Sequence, residues 1–408
     1  MNSEALFGLA LGLQAPWTIK SVEFKHNAQG GKELHLHLGF TPGSKFADES
    51  GVLCPVHDTV ERQWQHLNFF EHQCFLHCAV PRIHASNGKV VTVAVPWARP
   101  NSGFTLLCEA FAMALIERGM PVSRVGQMLG VYGQRVWTFF SYWVNKARET
   151  DNVKNLTRLA VDETSSKKGH DYLTLGVDLD QARVVCVTPG RGKGSIENIA
   201  QALQDKGVAR DQVRQLSMDL SPAFIAGAAK SFPKAAITFD RFHIVKLLNE
   251  AMDKVRRSEK LEYENKGNKY TFLKKPEDLS EKQQRALHTL CIVYPNIGEA
   301  YRLKMLFNAL WDISDKAAAE AHLQHWCAAV EASKIGPMMQ FAKTVKAHWS
   351  GILRYVESKI SNGVLEGINS KVQLAKRNAR GFRNTNNFIN MIYFLCGKLK
   401  FDYPAYFA

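Results

Sequence analysis

No stretch of the 408 residues approaches the roughly 18 consecutive apolar side chains of a membrane-spanning helix, and the opening Met1-Asn2-Ser3-Glu4 lacks the positive charge of a secretory leader. These absences argue against a membrane protein and make the cytoplasm the expected compartment. Cysteine is sparse too: eight thiols scattered from Cys54 to Cys396 read as reduced intracellular groups rather than a disulfide framework. Acidic residues are also short, with 38 Asp and Glu against 52 Lys and Arg and a formal net charge of +14. That balance favours a polyanionic partner, nucleic acid first and an anionic membrane surface second. The length allows two to four domains with real cores.

The pattern changes several times along the chain. Residues 1–100 read as a small β-rich domain, because short alternating runs such as Lys32 to Leu38 are broken by Gly30-Gly31, Pro42-Gly43 and Asn87-Gly88. His35 and His37 share a strand face there. Cys54-Pro55-Val56-His57 and Cys74-Phe75-Leu76-His77 have a spacing that invites zinc, yet in a continuing strand Cys74 and His77 face opposite sides. Residues 103–150 turn helical: a short helix ending at Gly130, then a longer one carrying Gln134 and Arg135 early, has the shape of a helix-turn-helix DNA reader. Three helices packed without touching DNA would show the same pattern.

Residues 155–245 read as an α/β domain. Three strands joined by tight turns, then alternating helices and strands, make a mixed sheet of the ribonuclease H kind. Residues 246–355 show long amphipathic helices, with basic stretches (Lys254 to Arg257, Lys266 to Lys275, Arg302 to Lys304) and Trp311, Trp326 and Trp349 among them. Such a block suits either nucleic-acid contact or a helical core with solvated lysines. Residues 356–408 read as C-terminal helices that return to the α/β domain, so the helical block between is an insertion.

Three carboxylates organise this layout. Asp162 follows Leu159-Ala160-Val161 and Asp219 ends Val213 to Met218, so both read as strand-borne acids near a sheet's C-terminal edge, where α/β ligand sites gather. Glu366 sits on a helix whose Leu365, Ile368, Val372 and Ala375 form an apolar stripe, with Glu366, Asn369, Gln373 and Arg377 on another. Such hard oxygen donors can hold two Mg²⁺ (or Mn²⁺) ions about 4 Å apart and clamp the attacking and leaving oxygens of a phosphodiester. Glu163 points away from Asp162 by strand alternation, and Asp178 and Asp180 fit a turn. After Glu366, Lys371, Lys376, Arg377, Arg380 and Arg383 cluster where phosphates would pass.

These residues resemble the ISL-three type of bacterial insertion-sequence transposases with a DDE active site. The likeness runs over essentially the whole chain, through Cys54 to Asp58, Val95-Pro96-Trp97-Ala98, Val161 to Ser165, Met218 to Phe224, Phe239 to His243 and Asn362 to Asn369. It implies a multidomain α/β protein: a ribonuclease H-like mixed sheet with a helical insertion, preceded by a zinc-ribbon-like domain and a helix-turn-helix. It implies Asp162, Asp219 and Glu366 as catalytic acids and metal ligands, and Asp240 and His243 as an accessory pair. The implied partners are double-stranded DNA, as terminal inverted repeats and target, and further copies of the chain, a homodimer or higher oligomer on DNA.

One stretch departs from the family. Relatives carry Cys-x-x-Cys-Gly before the Cys-Pro-Val-His box and Cys-x-x-His after the Pro-Arg pair. Here the first stretch reads Phe46 to Gly51 and the second Pro81 to Gly88, which offers only His84. A degenerate ribbon without zinc is the expectation, held by Trp64, Leu67, Phe69, Phe70, Phe75 and Leu76. The expected activity is cleavage at element ends and joining of the freed 3′-hydroxyl to target DNA. A silent DNA-binding repressor and a nuclease without strand transfer are the rivals.

Overall fold

The computed structural model describes residues 2–28, 30–167, 171–259, 269–358 and 363–404. Ser361 and Asn362, and the Lys266 end of one basic stretch, lie outside the described residues. The chain divides into two compact units, Met1–Asp151 with Val372–Ala408, and Asn152–Lys371.

The first unit begins with α1 (Ser3–Ala10), capped by the Asn2 side chain. Strands β1 (Trp17–His26), β2 (Lys32–Phe40), β3 (Lys45–Ala47), β4 (Leu53–Gln65), β5 (Gln73–His84) and β6 (Val90–Thr92) then form one six-stranded sheet in the order β1-β2-β5-β4-β3, with β6 also on β5. Alternation decides its faces: Leu34, Leu36, Cys74 and Leu76 point into the core, and His35, His37 and His77 line the other face. The parallel pairing of β2 with β5 stacks those rings, His77 lying 5.0 Å from His35 and 4.8 Å from His37. Cys74 and His77 thus do not converge. Trp64 and Leu76 are buried as expected, but Phe70 is 80% exposed, because it occupies the tip between β4 and β5 at φ 52°. Phe75 stacks on His35, on the histidine face.

Helices α2 (Leu106–Glu117), α3 (Val122–Met128) and α4 (Gly133–Glu149) follow. The tight turn between α3 and α4 requires Gly126, where a Cβ would come within 2.8 Å of the Val131 carbonyl oxygen. At the junction with the sheet His66 is half-buried, its Nδ1 2.8 Å from Thr105 Oγ1, and desolvation pushes the imidazole down to about 4. An unfolded chain takes up that proton near pH 6.5 and the folded one only near pH 4. Stability that is fully present above pH 6.5 is therefore lost as pH falls toward 4, by on the order of 3 kcal/mol. His66→Gln should flatten this loss in urea midpoints measured across that window. An unchanged slope would place the acid sensitivity elsewhere.

The second unit is built on β7 (Arg158–Lys167), β8 (Asp171–Asp178), β9 (Arg183–Pro189), α5 (Lys193–Asp205), β10 (Gln215–Met218), α6 (Pro222–Ser231) and β11 (Ala236–Phe239). Its mixed sheet runs β11-β10-β7-β8-β9, the last three antiparallel and β10 parallel to both neighbours. The turn after β8 is held by Asp178 Oδ1, which accepts from the Asp180 and Gln181 amides, so this acid is structural.

Helices α7 (Arg241–Ser258), α8 (Lys269–Leu273), α9 (Glu281–Val293), α10 (Pro295–Asn308), α11 (Lys316–Ser333), α12 (Gly336–Ala347) and α13 (Trp349–Ser358) pack on the sheet through one continuous apolar core. Trp311 and Trp326 are buried in it, with Trp326 Nε1 donating to the Leu303 carbonyl, so they do not face nucleic acid. Lys304 is buried as well and donates to the Phe272 and Leu273 carbonyls at 2.8 and 2.7 Å. Arg256 and Arg257 pair with Asp253. The basic stretches are therefore partly consumed by internal contacts. Helix α14 (Gly363–Asn378) passes from this unit into the first, where α15 (Thr385–Cys396) packs on α4 through Phe140 and Phe394, 5.1 Å apart.

Candidate active site

Strand register brings three aspartates into one row. β10 pairs with β7 up to Ser217 opposite Ala160, and with β11 up to Met218 opposite Phe239. The same offsets carried to residue 219 set Asp219 beside Asp162 on one side and Asp240 on the other. Parallel strands in register present such side chains on one edge, the edge where α/β sheets bind ligands. Asp162 lies inside its strand: β7 continues to Lys167 because it pairs antiparallel with β8. Asp162 stands two residues beyond the last parallel pair with β10, Ser217 opposite Ala160.

Each acid is anchored. Asp162 Oδ1 accepts from the Glu163 amide at 2.7 Å, and its Oδ2 from Asn369 Nδ2 at 2.5 Å. Asp219 Oδ1 accepts from the Ser221 amide at 2.9 Å. Asp240 caps α7 by accepting from the Phe242 amide, and its Oδ2 lies 3.7 Å from His243 Nε2. Helix α14 buries Leu365, Ile368 and Val372, which turns the Glu366 and Asn369 stripe outward. Asn369 reaches Asp162, whereas Glu366, one turn earlier, is exposed.

The electrostatics are those of crowded acids. Burial pushes the Asp162 carboxyl above its ordinary value, against the two hydrogen bonds that favour its ionised form. Burial, and then the charge of Asp219, push Glu163 up to about 7, so strand alternation does not remove Glu163 from the site's field. Part-desolvated carboxylates without enough counter-charge are the donor chemistry that a hard divalent cation relieves, and in that sense Asp162 and Asp219 fit one. Among the described residues, however, no three His, Cys, Asp or Glu side chains gather into a group that could hold a metal ion, here or in the β-rich sheet.

Of the residues expected to contact DNA, Gln134 is exposed on the first turn of α4, and with Arg383 it lines a cleft of about 310 Å³ within the first unit. The Arg135 guanidinium lies over the Phe104 ring at 4.5 Å. Lys371, Arg377 and Arg380 are exposed and Lys376 is half-buried. Lys371 belongs to the unit of the acids, whereas Lys376, Arg377, Arg380 and Arg383 belong to the other.

Residues 159–392 match the model of a family described as transposase, and residues 93–144 match the helix-turn-helix domain of transposase family ISL3. The chain belongs to the ISL3 transposase family. The first match spans Asp162, Asp219 and Glu366, and the second spans Gln134 and Arg135. The transposase for insertion sequence element IS1557 of Mycobacterium tuberculosis is 26% identical over 424 residues, covering 95% of this chain and 94% of the relative. The transposase for insertion sequence element IS1001 of Bordetella parapertussis is 24% identical over 391 residues, covering 93% and 95%.

In this ISL3 family member the sequence reading passed over four side chains that the fold brings forward. Asn369 holds Asp162, and its place one turn beyond Glu366 on the same stripe was the available signal. Glu163 enters the field of Asp219. Tyr132, 87% exposed just before α4, and Phe242, 59% exposed just after Asp240, carry no periodic signal because each sits at a helix start.

Proposed function

We propose that this ISL3 family member is a DNA transposase that cuts at the ends of its insertion sequence and joins the freed 3′-hydroxyl to target DNA. The observation that carries the reading is the row of Asp162, Asp219 and Asp240 at one sheet edge, with Asn369 of the Glu366 helix bonded to Asp162. The order β11-β10-β7-β8-β9 supports a ribonuclease H-like core over residues 155–245 and 356–408, interrupted by a helical insertion over 246–355. Residues 1–100 would form a zinc-free, ribbon-like module and 103–150 the helix-turn-helix.

Mg²⁺ (or Mn²⁺) held by Asp162, Asp219 and Glu366 would supply the positive charge that stabilises the leaving oxygen of the phosphodiester. The chain's own residues prepare that site. Asn369 fixes the Asp162 carboxylate, and Asp240 orients His243 toward the scissile phosphate. Lys371, Lys376, Arg377, Arg380 and Arg383 take DNA phosphates, while Gln134 and Arg135 on α4 read base edges. The working form would be a homodimer or higher oligomer on DNA in the cytoplasm.

The test is incubation with Mg²⁺ and double-stranded DNA carrying the element's own ends, followed by mapping of products. Nicks at the ends and joined strands are expected. Nicks without joining would make the chain a nuclease, and binding without either would make it a repressor.

A further inference from the structure

A cavity of about 350 Å³ opens beside Glu366, walled by Arg241, Phe242, Asn249, Lys275 and Lys304. We propose that it is a subsite for one unpaired nucleotide of the DNA strand being cut, adjoining the scissile phosphate. The inference rests on the nuclease reading of the acids and names what their substrate must do to reach them.

The chemistry of the walls selects this ligand. Arg241 and Lys275, the latter also 3.6 Å from Glu277, line the wall and offer a phosphate cationic partners. The Lys304 ammonium is buried in the wall, where the Phe272 and Leu273 carbonyls hold it. Asn249 Oδ1 is buried with no hydrogen-bond partner among the described residues, an acceptor waiting for a donor such as the exocyclic amine of a base. Phe242 leaves most of its ring in the open at the mouth, where an aromatic face is a stacking platform. Phe242, Val245, Asn249 and Leu273 also line a second hollow of about 260 Å³.

Size completes the argument. A cavity of this volume accepts one small molecule and no duplex, so a nucleotide enters only after leaving its pair. The helices that wall the cavity therefore have a task in catalysis: they hold the strand open next to the acids. Phe242 is only two residues beyond Asp240, so a base stacked on it adjoins the aspartate row.

The experiment uses the full chain and duplexes bearing the element ends, with 2-aminopurine placed at successive positions across the end. Unpairing changes the emission of this base, and the reading needs binding alone. One position should respond strongly, and the response should vanish in Phe242→Ala and Asn249→Ala but persist in Phe242→Trp. Phe242→Ala should also slow cutting of paired DNA by on the order of tenfold, and a mismatch at the responding position should restore it. No responding position, or equal loss on paired and mismatched DNA, would overturn the subsite. A responding position on DNA that is never cut would leave the subsite standing and remove the nuclease reading.

Discussion

Asp219→Asn is expected to lower cleavage of end DNA by on the order of a thousandfold or more, with end binding held within a few-fold of wild type. The substitution removes a charge and almost nothing else. The amide keeps a carbonyl oxygen that can still accept from the Ser221 amide, the 2.9 Å bond that holds Asp219 at the end of β10. The turn into α6 is thereby preserved. What disappears is one of two strand-borne anionic donors, and a neutral amide cannot balance a divalent cation. Removing that charge should also let Glu163 ionise more easily, since Asp219 is the first charge that raises it. Asp180→Asn is the control, because that acid pairs with Arg158 at a turn and has no part in the chemistry. Rates for Asp219→Asn near those of wild type would sink the assignment of the aspartate row as catalytic.

The second large effect is on stability. Glu109→Ala should cost about 3–5 kcal/mol in the helices of the first unit, because it leaves Arg99, whose side chain is only 13% exposed, without its counter-ion. Glu109 is fully buried on α2 and accepts from Arg99 Nε at 3.0 Å, Ser102 Oγ at 2.6 Å and Trp143 Nε1 at 2.7 Å. Those partners come from the segment before α2 and from α4, so one carboxylate ties the orientation of α4 to the rest of the unit. Glu109→Gln can keep some of these bonds without the charge and should lose less. Amide hydrogen exchange in α2 and α4 gives the local free energy without assuming that a chain of two units unfolds in one step. A loss below about 1 kcal/mol in Glu109→Ala would show that packing, rather than this network, holds the helices.

Much of this architecture is written in local periodicity. Alternation put Leu34, Leu36 and Leu76 in a core and His35 and His77 outside it, because a strand's period of two is a property of the backbone and needs no partner. The stripe of Leu365, Ile368 and Val372 turned Glu366 and Asn369 outward for the same reason, with the helical period. Asp178 declared its turn. Whatever depended on distant segments meeting was not readable in this way. Trp311, Trp326 and Lys304 suited either a basic, aromatic surface or a helical core with solvated lysines, and only the packing of α10 and α11 on the sheet shows all three buried. Phe70 looked like core and sits on an exposed tip, since a side chain's burial at a turn depends on what the rest of the chain lays over it. The amino-acid sequence by itself determined the elements, their order and the acids they carry. The tertiary structure decided which acids stand side by side: Asp240 joins Asp162 and Asp219 only through parallel register across residues far apart in the chain, and no local pattern encodes such a pairing.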